Sequence, residues 1–497
     1  MIRSRLLYVL VFVVGAASLG AEITVARLMA PYFGASTIVW ANTIGVVLVA
    51  LSVGYWLGGR LGDRHPRLGG LCLLVMAAAG LLAVVPFVAR PFFDVSVEAL
   101  DSVSAGAFVG SLIAVLFLVS VPVMLLGACS PYAIRLTIPD VEHSGRAAGR
   151  LYAVSTAGSL VGTMLAALVL IPFAGTQRTF LIFALALALV AAAGLGWRFL
   201  AAPVVLAAGI AMPVGAVKAT GEGRTLYEGE SALQYIRVIQ QPDGDRVLEL
   251  NEGQAIHSLY RPGSYLTGGY WDGMLTLPFT ALTRPPQRAA IIGNAAGTTA
   301  RAYGHFFPEA EVDGVEIDPK LEEIGDRYFD GGSNPNLTVY NQDGRPWLRQ
   351  SAGGYDVIVV DAYRQPYIPF HLATRELFTL VRDRLASGGT VVVNVGHPRG
   401  SSDLDRVIGR TMADAFPTVL RDPIDETNTL LVGSEARTSA SRLRAAARAL
   451  PRRLGPLAER QARRIGPPLP GGTVYTDDRA PVEWLVDRSI LGYAANR

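Results

Sequence analysis

Residues 288–307 read RAAIIGNAAGTTARAYGHFF. Four apolar positions follow Arg288, then a turn containing Gly293 and Gly297, then a run of helix-compatible residues. That order predicts a short buried strand, a tight turn and a helix. The strand signal recurs downstream. AEVDGVEID (310–318) ends on Glu316 and Asp318, LTVYNQDG (337–344) on Asp343 and Gly344, and YDVIVVDAY (355–363) runs through Asp361. GGTVVVNVG (388–396) supplies a fifth strand. Repeated strand–helix units predict a parallel, doubly wound sheet. Ligands of such sheets bind beyond the carboxyl ends of the strands, where these acids fall.

Upstream, LQYIRVIQQPDGDRVLELNEGQAI (233–256) holds two apolar runs around Pro242-Asp243-Gly244-Asp245, a hairpin signal. A small β-unit over 225–285 is therefore expected before a nucleoside-binding α/β domain over 286–497. Before Lys218 the chain contains no lysine, and long apolar runs follow one another with short arginine-bearing gaps. Runs near 6–29, 38–58, 69–89, 107–129, 152–173 and 179–197 suffice to cross roughly 30 Å of hydrocarbon. A seventh, Leu200–Val217, is shorter and carries Pro203 and Pro213. Residues 1–217 thus read as a helical membrane domain of six or seven spans. Arginines before the first span and after the second and fourth place the amino terminus inside. Six spans put the α/β domain in the cytoplasm and seven put it outside; chemistry on a cytosolic metabolite favours the former. The first apolar run continues past Glu22 without a cleavage site and reads as a retained helix.

Within the spans, Glu22 is an embedded acid, a functional candidate by default whose plainer reading is an interfacial acid paired with Arg27 or a neighbouring helix. Gly158 and Gly162 in STAGSLVGT (155–163) have small-xxx-small spacing, which suits close helix packing. The formal net charge of +3 is too small to argue for nucleic acid. Cys72 and Cys129 both lie in apolar runs and suggest neither a disulfide framework nor a metal site.

The glycines at 293 and 297 let a backbone approach a ligand, and the following helix start offers free N–H groups. Glu316 ends the next strand about 20 residues on, where an acid can accept both hydroxyls of a ribose. Asp343 at the third strand end is placed to recognise an adenine amino group. The shared order of these features suggests an adenosine-containing ligand. The turn lacks the full glycine spacing of a nicotinamide-dinucleotide site and the acids continue to Asp361, so an S-adenosyl compound fits better.

These residues resemble the polyamine aminopropyltransferases, the spermidine and spermine synthases, over 225–395. The stretches FGASTIVWANTIGVVLVALSVGYWLGGRLGDR (33–64), GRLYAVSTAGSLVGT (149–163) and YTDDRAPVEWL (475–485) look like a membrane-fused bacterial branch of that family. The resemblance implies a multi-span membrane domain followed by a Rossmann-like, methyltransferase-type domain. It implies transfer of an aminopropyl group from decarboxylated S-adenosylmethionine to an amine, with no cofactor or metal beyond that co-substrate. Matched position by position, Asp361 is the proton acceptor. Gln234, Gly293, Glu316, Asp343, Gly344 and Pro369 contact the donor, and Tyr270 lines the acceptor pocket. A homo-oligomer bearing small-molecule amine and nucleoside ligands, in contact with membrane lipid, is also implied.

The acceptor side departs from the family. Its glycine-rich loop carries an aspartate where this chain has Ala296, and the histidine after the tyrosine is Trp271, followed by Asp272. The second acid of the family's D-S-x-D-P turn is replaced by Arg364, with one residue inserted. Two anionic contacts to amines are lost and a cation gained, so a different acceptor and a lost activity both stand open. Other readings are a methyltransferase using S-adenosylmethionine, or a transporter or sensor that only binds polyamine or nucleoside. Residues 436–464 contain nine arginines and one acid, consistent with a solvated helical face or with contact to anionic lipid. Asp477 and Asp478 are expected either to close over the site or to begin a helix.

Overall fold

The computed structural model describes residues 2–33, 37–103, 106–137, 144–211, 223–251, 255–363 and 368–486. The chain divides into two compact units, Met1–Ala219 with Gly229–Tyr235, and Thr220–Glu228 with Ile236–Arg497. The expected β-unit over 225–285 is thus shared between the two, mostly within the second.

In the first unit the helices are α1 (Ile2–Phe33), α2 (Thr37–Arg64), α3 (Leu68–Val103), α4 (Gly106–Leu118), α5 (Ser120–Thr137), α6 (Ser144–Leu165), α7 (Ile171–Ala174), α8 (Thr176–Leu195) and α9 (Ala201–Ala211). Among the described residues, five helices are long and apolar enough to cross a membrane: Arg5–Met29, Val39–Arg64, Leu68–Ala89, Ser144–Ala174 and Thr176–Leu195. The expected span at 107–129 is instead a pair, Ser111–Leu118 and Ser120–Thr137, bent by 54°. Pro122 has no N–H to offer Leu118, and the Ser120 hydroxyl donates to the Leu116 carbonyl, so the ladder breaks there. Of the candidate seventh span the described part is an apolar helix, Trp197–Ala211; 212–217 lie outside the described residues.

Small residues set the spacing of α1 and α6. A methyl group on Gly158 or Gly162 would collide with the main-chain oxygens of Phe12 and Ala16 respectively. Arg27, near the end of α1, pairs with Glu230 at 3.6 Å and donates to the Ser231 carbonyl.

The second unit holds a seven-stranded sheet and most of a four-stranded one. The smaller has the order β1 (Arg224–Glu230), β2 (Tyr235–Gln240), β3 (Arg246–Leu250) and β4 (Ile256–Tyr260). The expected β2–β3 hairpin turns at Gly244, φ +90°, whose N–H donates to the Gln241 carbonyl.

The larger sheet has seven strands: β5 (Arg288–Ile292), β6 (Glu311–Val315), β7 (Leu337–Tyr340), β8 (Tyr355–Val360), β9 (Leu385–Gly396), β10 (Thr418–Pro423) and β11 (Asn428–Ser434), in the order β10-β11-β9-β8-β5-β6-β7. Strands β5 to β9 are parallel, as the repeated units predict; β11 runs antiparallel to β9 and to β10, so β10 shares the direction of the parallel set and the sheet is mixed through β11 alone. All six residues of β8 are buried, as befits a strand covered on both faces. The chain leaves β5 toward β6 and β7 on one side and returns to β8 and β9 on the other. This reversal opens a crevice between β5 and β8, at their carboxyl ends. The fold is Rossmann-like and methyltransferase-type.

Helices α10 (Trp271–Thr276), α11 (Thr298–Phe306), α12 (Pro319–Tyr328), α13 (Gly344–Gln350), α14 (Arg375–Arg384) and α15 (Asp403–Ala415) accompany these strands. The arginine-rich segment forms α16 (Ala440–Ala446) and α17 (Gly455–Arg464). It buries Leu443, Leu454, Ala458 and Ala462, and Arg464 pairs with the buried Asp422. This is the arrangement of a packed helical layer with outward arginines.

Candidate active site at the carboxyl ends of β5 and β8

The turn after β5 is shaped from two sides. Gly293 has φ +90°, and its N–H and that of Asn294 both donate to the Val315 carbonyl, at 2.9 and 3.1 Å. A side chain at 293 would meet the Asp361 carbonyl oxygen at 2.5 Å and the Ala362 Cα at 2.7 Å. Only glycine fits, because the turn lies directly on the backbone that carries Asp361. From the other sheet, the Ser258 hydroxyl accepts from the Ala296 N–H at 3.0 Å. Ala296 is therefore a buried point of attachment for β4, with no charge to offer a ligand.

Glu316 follows β6 and is 7% exposed. Its two oxygens accept from the Ala295 N–H at 2.8 Å and the Asp318 N–H at 3.0 Å, tying the carboxylate to the turn after β5. Burial pushes its pKa up to about 7, against the lowering effect of those N–H donors. Each oxygen retains a second lone pair.

Asp343 is the N-cap of α13 and accepts from the Arg345 N–H at 2.9 Å; Gly344 is the first residue of that helix. Its other oxygen meets His371 Nε2 at 3.1 Å. The His371 contact holds this carboxyl below its usual range. Pro369 begins the one-turn helix Phe370–Leu372 that presents His371. Arg345 donates to the His371 carbonyl at 3.1 Å and grips Asp477 through two bonds, at 2.7 and 2.6 Å. Asp477 also accepts from the Thr374 hydroxyl at 2.8 Å. The YTDDR segment is thus fastened beside the third strand end by Asp477.

At the fourth strand end, Asp361 is largely buried; its N–H donates to the Ile292 carbonyl at 2.8 Å. Its carboxylate accepts from Asn394 Nδ2 at 2.8 Å and from the Tyr270 hydroxyl. Burial pushes its pKa up to about 7, opposed by those two donors. Tyr270 immediately precedes α10 and stacks on the buried Trp271, ring centroids 4.3 Å apart. Tyr363 donates its hydroxyl to the Asn394 carbonyl at 2.9 Å and accepts from the Gly396 N–H, joining the loop after β8 to the end of β9.

The structure therefore brings Gly293, Ala296 and Glu316 together, and Asp361 with Tyr270 and Gly293. Asp343, Gly344 and Pro369 form a further group with His371. Asp272, expected at the acceptor, is engaged within its own loop. Its oxygens accept from the Thr267 N–H, the Thr267 hydroxyl and the Gly268 N–H at 2.8–2.9 Å. Gln234 falls in the Gly229–Tyr235 stretch of the first unit, where its carbonyl accepts from the Ser231 N–H. Arg364 lies outside the described residues. Sequence reasoning passed over Asn394, although a lone amide among Val391, Val392, Val393 and Val395 was a usable signal. It also passed over His371 and Arg345, whose roles depend on distant partners and leave no local pattern.

No family model matches the chain. It is 33% identical over 285 residues to a Bifidobacterium longum protein described as "Probable polyamine aminopropyl transferase", covering 53% of this chain and 63% of that one. It is 35% identical over 123 residues to a polyamine aminopropyltransferase of Vibrio vulnificus, covering 24% and 41%. The chain thus spans less than two thirds of either relative. A crystal structure of spermidine synthase from Thermotoga maritima is similar over 54% of this chain and 84% of that one, with 18% identity and a TM-score of 0.39.

Proposed function

We propose, from the premise that this chain belongs to the polyamine aminopropyltransferase family, that it transfers an aminopropyl group from decarboxylated S-adenosylmethionine to an amine and releases methylthioadenosine. The observation that carries this reading is Asp361. It is a carboxylate at the end of a buried central strand, steered by two hydrogen-bond donors and pressed against the glycine turn. A base with a pKa near 7 is poised to take a proton at neutral pH.

In this reading the nucleoside lies along the ends of β5, β6 and β7. Glu316 accepts from the ribose hydroxyls, Asp343 and its helix start face the adenine, and Pro369 holds the loop beside it. The donor's propyl carbon then points toward Asp361 and Tyr270. A neutral amine attacks that carbon with its lone pair, and the carbon–sulfur bond electrons remain on sulfur, giving an uncharged thioether. Asp361 accepts the proton lost by the amine. The leaving group requires no proton. With Ala296 uncharged and Asp272 held in its own loop, the described residues give a dication fewer anionic contacts than the family pattern. The acceptor is accordingly an amine other than the usual diamine. Five apolar helices with outward side chains such as Val49, Trp56 and Leu168 support anchoring in a membrane. Counting the bent pair as one span gives six crossings, and with the amino terminus inside these put the catalytic unit in the cytoplasm.

The test is mass spectrometry of the purified full chain with decarboxylated S-adenosylmethionine and a panel of amines. Methylthioadenosine should appear with an amine heavier by one aminopropyl group. Asp361→Asn should lower turnover by about 10²–10⁴, the usual worth of a general base, while sparing methylthioadenosine binding. Undiminished turnover in that variant would remove Asp361 as the base.

A further inference from the structure

Asn394 interrupts a valine run near the end of β9 and is 3% exposed. Its amide Nδ2 donates to Asp361 Oδ1 at 2.8 Å, and its main-chain oxygen accepts from the Tyr363 hydroxyl at 2.9 Å. Its amide Oδ1 is buried and has no hydrogen-bond partner among the described residues. Rotating the amide does not relieve this, since it would set the amide oxygen against the Asp361 carboxylate. Among the described residues an open acceptor thus stands on the same amide that steers the carboxylate. Buried acceptors of this kind ordinarily have a partner.

We propose that Asn394 is a positioning residue whose Oδ1 accepts the second N–H of the attacking amine. The inference rests on the function proposed above and deepens it. A neutral primary amine has one lone pair and two N–H bonds. As the lone pair forms the new nitrogen–carbon bond and the carbon–sulfur pair withdraws to sulfur, nitrogen becomes cationic and must shed one proton. Asp361 takes that proton. The remaining N–H points at Asn394 Oδ1, which fixes the rotation of the amine about its own carbon–nitrogen bond and so aims the lone pair. A secondary amine carries a single N–H, which Asp361 uses, and leaves the Asn394 oxygen idle. Asn394 thereby separates primary from N-methylated acceptors by hydrogen bonding.

The experiment compares kcat/KM for a primary amine accepted by the full-length protein and for its N-methyl derivative, in wild type, Asn394→Leu and Asn394→Asp. Wild type should prefer the primary amine at least tenfold. Leucine removes both amide functions, so both rates fall, but the preference should collapse to within threefold of unity. Aspartate restores an oxygen acceptor and should keep the preference, while its second carboxylate moves the pH–rate profile to the alkaline side. The groups facing Asp361 in that profile are Tyr270, Tyr363 and residue 394, with Asp425 acting through Tyr270. Equal losses for both amines, with the preference intact in the leucine variant, would reduce Asn394 to a structural support and overturn the inference. So would a wild type indifferent to N-methylation. A wild type that releases no methylthioadenosine with any amine would instead overturn the function itself. Methylthioadenosine binding by each variant reports whether the site is still folded.

Discussion

Replacing Tyr270 by phenylalanine isolates one bond at the proposed base. The ring and its stacking on Trp271 stay, and only the hydroxyl that donates to Asp361 goes. That donor stabilises the ionised carboxylate, so its loss must raise the Asp361 pKa from its present value of about 7. A hydrogen bond to a charged group contributes roughly 1.5–3 kcal/mol. At 1.36 kcal/mol per pH unit this moves the midpoint by about 1–2 units, to roughly 8–9. At pH 7 the ionised fraction then drops from about one half to somewhere between ~10% and ~1%. The rate of methylthioadenosine release should fall about 5- to 50-fold at pH 7 and recover to within about threefold of wild type by pH 9.5. Taking the ratio of variant to wild type at each pH cancels the ionisation of the amine itself. A constant ratio across the range would show that Tyr270 does not govern the protonation of Asp361, and would refute the reasoning.

Two other expectations concern stability. Asp361 holds its proton in the folded protein at pH values where the unfolded chain has released it, so its contribution to stability declines as pH rises from about 4 to about 7. Asp361→Asn should therefore raise the melting temperature at pH 8 and leave it unchanged near pH 4, as followed by differential scanning fluorimetry in detergent; equal shifts at both pH values would contradict the burial argument. Gly162→Leu should lower the melting temperature of the first unit by several degrees, because the side chain collides with the Ala16 main-chain oxygen between α1 and α6. A fully stable variant would show that the two helices can separate without loss.

Much of the second unit was legible in the chain because the signals are local. Each of the five parallel strands is a short apolar run bounded by turn residues, and the polar positions beyond them fall where a doubly wound sheet gathers its ligand contacts. The reversed strand β11 was missed, since nothing near Thr418–Pro423 or Asn428–Ser434 encodes that the last strand inserts between β9 and the edge strand β10. The bend at Ser120 was missed because hydropathy counts apolar length and is blind to one absent N–H at Pro122. In the site, position along the strands was readable and partnership was not. Asp272 looked available as a charge until the Thr267 and Gly268 groups that occupy it were seen. Asn394 looked like an irregularity until its amide was found on Asp361.

The contact between Gly293 and the Asp361 backbone bears on how such a protein can change over generations. The turn proposed for the donor and the loop proposed to carry the base share a wall one atom thick. A substitution that shifts the loop to suit a new amine also presses on the turn, and a bulkier turn displaces the base. Mutations in the two segments should therefore be strongly epistatic. Acceptor preference should drift most freely through positions that avoid this wall, such as 270, whose side chain rather than main chain meets Asp361. Diversification of the amine is thus channelled into a few sites, while the shared wall remains fixed.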